Sequence, residues 1–287
     1  MNLESVKRNP TVRFTWLVLV RLFDDEGFEL SGHLAFVALL ALFPFLIFLG
    51  ALAGVLGNFA TGQRFVAFML QFTPGDISAT LSPVVTRIFS SRDTGILTFS
   101  ALFMLWAASN GIEAMRVVLN RAYRVAETRS FWWRRAQSVV FVALGALAMI
   151  LLSLAVVLGP LLWSLVTQVV PASAAEAAFW QVARYGIAGT VTFVVLLALH
   201  LWLPNTRHRI RDLLPGIVVT VALLLGTASL FSVYLTTVPS YSAVYGSLGG
   251  VVVVLVYLYV NALTFIFGGE LNSAIWRARA AHRQSVD

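Results

Sequence analysis

The chain has 287 residues, 59% hydrophobic and only 11% charged, with a formal net charge of +7 and no cysteine, and its mean hydropathy is +0.85. Soluble domains carry about 25% charged residues, so this composition excludes an ordinary soluble enzyme and points to an all-α, polytopic membrane protein. The absence of cysteine excludes disulfides, thiolate nucleophiles and cysteine metal sites, and no hydrophilic stretch is long enough for a separate soluble domain, so residues 1–287 read as a single membrane domain.

The first residues, MNLESVKRNPTVRF, lack an apolar region followed by a small-residue cleavage site, so no cleavable signal peptide is expected and the first span serves as the insertion signal. Within an N-terminal segment, 1–32, residues 12–23 (VRFTWLVLVRLF) form an apolar run too short to cross. It is flanked by Lys7 and Arg8 on one side and by Asp24, Asp25 and Glu26 on the other. This is the pattern of a helix lying in the membrane interface with Trp16 as an anchor; packing against the helix bundle is the alternative.

Six segments reach the roughly 20 apolar residues that a crossing needs, at about 34–57, 95–117, 137–166, 180–203, 213–237 and 247–275. In the first, Pro44 is expected to kink or break the helix, and Gly50 and Gly54 form a GxxxG pair that lets another helix approach. The loop 58–94 holds a further helix. Thr73 can cap it, Pro74 suits its first position and Asp76 its first turn. Ile77, Leu81, Val84, Val85 and Ile88 then form one apolar stripe, as on an amphipathic helix at the outer interface.

All but four of the 20 Lys and Arg residues lie in the N-terminal segment, the loops after the second and fourth spans, and the tail 276–287; the exceptions are Arg64, Arg87, Arg92 and Arg184. The positive-inside rule then places both termini in the cytoplasm, which agrees with an even number of spans. The same rule accounts for the net positive charge, so no nucleic-acid partner is expected.

Hydrolytic chemistry finds little to work with. There is no GxSxG elbow and no HExxH. The histidines, His33, His200, His208 and His282, share no ligand spacing on one helix, so no metal and no cofactor is expected. Ser247 begins the sixth span and His200 ends the fourth on the other side, on the order of 30 Å away. The sequence reads as a non-enzyme.

Polar residues inside spans are rare, and they face the bundle interior and pair. In the second span, Asn110, Glu113, Asn120, Arg121 and Arg124 fall on one stripe, with Arg116 on the same helix. In the sixth, Trp276 and Arg277 mark the interface, and Glu270 lies six residues deeper, about 9 Å at the helical rise. Asn261 and Asn272 share a face nearly opposite that of Glu270. Glu113 and Glu270 are therefore expected at comparable depth near the cytoplasmic end. Asn110, Glu113, Arg116, Arg121, Asn261, Glu270 and Asn272 form either a polar vestibule or an ion-pair network that fixes helix packing.

Four stretches carry a family resemblance: GHLAFVALLALFPFLIFL at 32–49, WAASNGIEAMRVVLNRAYRV at 106–125, LP at 203–204 with RDLLPG at 211–216, and YSAVYGSLGGVVVVLVYLYVNALTFIFGGELN at 241–272. They touch nearly every span. The chain resembles the YihY/virulence factor BrkB family, once labelled ribonuclease BN. It departs from the usual pattern at Phe36, where Tyr is common, and at Tyr257, where Trp is common; both exchanges keep an aromatic ring. The resemblance implies a six-span bacterial inner-membrane protein with a role in envelope maintenance or lipid export, in contact with membrane lipids and an envelope or periplasmic partner. Three readings follow: a translocator of a lipid or other amphipathic anion, an ion- or proton-coupled transporter, and a structural scaffold. Metal-dependent ribonuclease chemistry would need a carboxylate or histidine cluster that the sequence does not present.

Overall fold

The computed structural model describes residues 10–56, 94–153, 174–237 and 249–284. The helix expected after Thr73 lies outside them. Every element among the described residues is helical: α1 (Pro10–Asp24), α2 (Gly27–Leu56), α3 (Thr94–Tyr123), α4 (Phe131–Ser153), α5 (Ala174–Trp202), α6 (Ile210–Thr237) and α7 (Gly249–Gln284). Helices α2 to α7 contain 23 to 36 residues, or about 35–54 Å at the helical rise, against about 30 Å of hydrocarbon. Each falls on one of the expected spans. Within them, Leu102–Tyr123, Ile210–Tyr234 and Gly250–Arg279 are long and apolar enough to cross a membrane, and Gly27–Ala41 and Gly186–Trp202 are shorter apolar stretches. α2 runs without a break past Pro44, Gly50 and Gly54.

α1 packs one stripe inward and leaves the other exposed. Val18 and Leu22, one turn apart, are 0% and 4% exposed, whereas Trp16 and Phe23 are 65% and 66% exposed. One stripe packs inward, and the other is bare apolar surface, as lipid contact requires. The helix ends at an acidic elbow. The Asp25 N–H donates to Arg21 O at 2.8 Å and that of Glu26 to Phe23 O at 3.1 Å. Glu26 takes φ 56°, a left-handed backbone. Gly27 then starts α2 where a Cβ would stand 2.7 Å from Leu22 O, so only glycine fits the turn.

α3 ends the same way. The Arg124 N–H donates to Arg121 O and the Val125 N–H to Asn120 O, both at 2.9 Å. This is a Schellman closure whose left-handed position, normally glycine, is Arg124 with φ 55°.

The chain divides into two compact units. One comprises Met1–Gly27, Arg116–Gly226 and Thr264–Asp287, the other Phe28–Met115 and Thr227–Leu263. In the second, the Phe231 and Tyr257 ring centroids lie 4.5 Å apart and Asn261 Nδ2 donates to Tyr257 O at 2.7 Å.

In the first unit, α4 packs on α5, and α6 crosses α7 at backbone contact. Pro215 stands inside α6 and supplies no N–H to its ladder. The next amide, Gly216 N–H, donates across the crossing to Asn272 Oδ1 at 2.8 Å. A Cβ on Gly216 would stand 2.6 Å from Gly268 O, and one on Gly268 would collide with Thr220 Oγ1. Thr220 Oγ1 in turn donates to Gly216 O at 2.8 Å. Around the crossing α7 buries residues on more than one face: Phe265, Ile266, Glu270, Asn272, Ser273 and Ala274 are all buried, while Leu271 and Ile275 are half-buried. The opposed faces of Glu270 and Asn272 expected from their spacing are thus both interior.

Candidate functional site: a buried polar cluster

The first unit brings four helices to one polar cluster. α3 contributes Tyr123, α5 His200, α6 Gly216 and Thr220, and α7 Glu270 and Asn272. Tyr123 is 2% exposed, Glu270 1%, and His200 and Asn272 0%. The Tyr123 hydroxyl and His200 Nδ1 are hydrogen-bonded at 2.8 Å. Asn272 spends its carbonyl on Gly216, and its Nδ2 faces the Tyr123 hydroxyl without closing a hydrogen bond. Gly269 of α7 faces Ala122 and His200: a Cβ there would make ordinary contact, 3.4 Å from Ala122 Cβ and 3.7 Å from His200 Cε1.

The cluster is short of partners. His200 Nε2, Asn272 Nδ2 and both oxygens of Glu270 are buried without a hydrogen bond. Each such atom costs about 1–3 kcal/mol, and buried polar groups in folded proteins are normally satisfied. These orphaned polar atoms, gathered in one place, make the cluster the candidate site.

Charged residues surround Glu270. Asp25 from the α1–α2 elbow lies beside it, and Arg277 and Arg124 act on it from α7 and from the end of α3. Arg21 of α1 faces Arg277 and Arg124, and its Nη1 is buried without a partner. Three guanidiniums thus meet two carboxylates. The elbow is tied to α3 by two ion pairs. Arg124 Nε and Nη2 both donate to Asp25 Oδ2, at 3.2 and 3.0 Å, and Arg121 pairs with Glu26 at 2.9 Å.

Next to the cluster, loops 124–130 and 203–209 clasp each other. Asn120 Nδ2 donates to Glu127 at 3.0 Å, while Asn120 Oδ1 accepts from the Asn205 N–H at 2.8 Å. Arg129 donates to Glu127 at 2.8 Å and to Leu203 O at 2.6 Å. The Arg129 guanidinium, its backbone N–H and Asn120 lower the Glu127 pKa to about 2, against the opposing pull of burial. The His208 ring lies 4.3 Å from Tyr123 and 5.2 Å edge-on to Trp276. Burial holds its pKa below the usual value, and Asp212 opposes the shift.

Of the residues expected to share a vestibule, Glu270 and Asn272 meet in this cluster. Arg121 reaches the elbow through Glu26. Arg116, 1% exposed, instead ties α3 to α4 by donating to Arg134 O, Gln137 Oε1 and Ser138 Oγ at 3.1 to 3.2 Å. Asn110, Glu113 and Asn261 belong to the second unit. Sequence reasoning missed Tyr123, His200, Asp25 and Arg21. The acidic run Asp24-Asp25-Glu26 between two apolar helices was a usable signal for Asp25. Tyr123 and His200 each stand at a helix end, where a Tyr or His is ordinary.

Long apolar helices, exposed Trp132, Trp133 and Trp202 in the first unit, and a polar cluster enclosed by α3, α5, α6 and α7 define a helical membrane protein with an interior polar site. Residues 18–286 match the family described as Virulence factor BrkB, and the chain belongs to that family. It is similar to a ribonuclease-like protein, YfkH, of Bacillus subtilis (strain 168), 32% identical over 255 residues, which is 88% of this chain and 92% of that one. It is also similar to UPF0761 membrane proteins. That of Alteromonas mediterranea is 24% identical over 287 residues, 97% of this chain and 95% of the relative. That of Pseudoalteromonas translucida is 25% identical over 273 residues, covering 91% and 85%. No solved structure matches the chain.

Proposed function

We propose that the protein is a six-span translocator at the bacterial inner membrane, with both termini cytoplasmic, that moves a lipid or another amphipathic anion, or serves its movement in envelope maintenance. The observation that carries this reading is the orphaned polar cluster in the membrane helices, bordered by Arg21, Arg124 and Arg277. Unpaired interior polar atoms favour a polar guest, and an excess of guanidinium over carboxylate favours a negative one; arginine is suited to phosphate-type head groups. The bare apolar surface of α1 next to that border suits the acyl part of the same molecule. The reading is of a non-enzyme. Among the described residues no group of three or more His, Asp or Glu side chains is placed to hold a metal ion, as metal-dependent RNA cleavage would require.

The test is transbilayer movement of labelled phospholipid in liposomes containing the purified protein. Accelerated movement that Arg277→Gln slows at least tenfold, with anionic lipid favoured over zwitterionic, is the expected result. Unaccelerated movement, or a rate indifferent to Arg277→Gln, Glu113→Gln and Glu270→Gln alike, overturns the reading.

A further inference from the structure

Glu270 is buried, and neither of its oxygens accepts a hydrogen bond. An ionised carboxylate offers about four acceptor sites and no donor, and burying one without donors is among the costliest arrangements in a protein. The side chain beside it is another acid, Asp25. Arg124 Nε and Nη2 both donate to the single Asp25 oxygen Oδ2. This leaves Oδ1 available to accept. Two ionised carboxylates repel and cannot bond to each other, and such pairs relieve the conflict by holding a proton.

We propose that Glu270 and Asp25 form a proton-binding pair, in which Glu270 carries the proton and donates it as an O–H hydrogen bond to the Arg124-anchored Asp25. Binding adds one proton to a Glu270 oxygen and breaks no bond; release returns it to water through Asp25, whose side chain is 18% exposed. Arg277 on α7 and Tyr123 and Arg124, on and just past α3, face the pair; Arg21 on α1 faces Arg277, and His200 on α5 and His208 stand behind Tyr123.

The pair also sets the charge of the border. With the proton bound, three guanidiniums face one carboxylate, and Arg21 and Arg277 are left to receive an anion. With it released, Glu270 competes for Arg277. Proton binding and anion binding therefore support each other, and this coupling, unlike the pair itself, rests on the anion reading above.

The proton is read directly, without any substrate, by infrared difference spectroscopy of the purified full-length protein in lipid nanodiscs. Wild type is expected to show a carboxylic-acid C=O band at neutral pH that Glu270→Gln removes. Asp25→Asn removes the repulsion, so the band should titrate at a proton concentration about tenfold higher or more. A neutral-pH spectrum in which wild type and Glu270→Gln do not differ, or an Asp25→Asn band that titrates where the wild-type band does, overturns the pair. If Asp25→Asn does not fold, the pH dependence of thermal stability decides. Wild type should lose stability toward alkaline pH where Glu270→Gln, a neutral isostere of the protonated acid, does not; parallel profiles overturn the proposal. Neither readout needs lipid movement, so failure here is distinct from failure of the liposome assay.

Discussion

His208 shows how the surroundings of a single residue set a measurable pH dependence. Its ring is held between Tyr123 and Trp276, and burial lowers its pKa from 6.5. The folded protein thus keeps His208 neutral in a range where the unfolded chain would bind a proton. Its contribution is complete above pH 6.5 and shrinks as the pH falls below that value. Glu127, whose pKa falls from 4.5 to about 2, adds its own acid-side loss only below 4.5. Between those two values, acidification should lower the melting temperature of wild type in detergent relative to that of His208→Gln, while the proton proposed on Glu270 acts in the opposite sense in both proteins. An unchanged slope in the variant would show that His208 is not held neutral. None of this was legible beforehand: a histidine in RHR, within a basic loop, reads as solvated, and only the folded chain presses it against two aromatic rings.

Helix ends and helix crossings carry the next level of argument. Arg124 occupies a left-handed position that costs a non-glycine residue about 1–3 kcal/mol, whereas its ion pair with Asp25, with Arg124 47% exposed, is worth about 1 kcal/mol at most. The backbone term wins. Arg124→Gly should therefore melt no lower than wild type, and Arg124→Ala should melt lower than Arg124→Gly; the reverse order would contradict this ranking. An arginine retained at a glycine position, against stability, is what a charge needed at the polar border would look like. At the α6–α7 crossing, Gly268→Ala meets Thr220 Oγ1 and should cost about 1–3 kcal/mol by overpacking. Asn272→Leu strips the Gly216 amide of its acceptor and should cost a similar about 1–3 kcal/mol. Melts that stay at the wild-type temperature in both would show that the crossing is looser than described. The sequence made helix α7 plain but not its surroundings. Polar residues on opposite faces suggested one inward and one outward side, and enclosure by α1, α3, α5 and α6 made both inward.

For the whole chain, apolar run length carried most of the helical architecture, because bilayer thickness is a constraint that local sequence answers directly. Each of α2 to α7 overlaps one expected span, and among the described residues three of them, α3, α6 and α7, are long and apolar enough to cross a membrane. The polar cluster was half legible: Glu270 and Asn272 stood out as polar groups in an apolar run, but the groups around them, Asp25, Tyr123 and Gly216, come from other helices far away in the chain. Orientation can be tested on a chain with no cysteine of its own. Single replacements Ser91→Cys and Ser130→Cys in intact spheroplasts should be respectively labelled by, and shielded from, a membrane-impermeant thiol reagent. Labelling of both, or of Ser130→Cys alone, would overturn the six-span arrangement with cytoplasmic termini.

The Gly216–Asn272 bond also bears on biosynthesis. Pro215 opens the α6 ladder where the chain enters the bilayer, and the group that closes it is supplied 56 positions later, in α7. While a ribosome is still making the last helix, the bond from the Gly216 amide to Asn272 cannot form, so the α6–α7 crossing closes only once α7 has been made. A nascent chain stopped short of Asn272 should be retained by the insertion machinery or degraded, and the arrival of that one carboxamide is the step that lets α6 and α7 settle together.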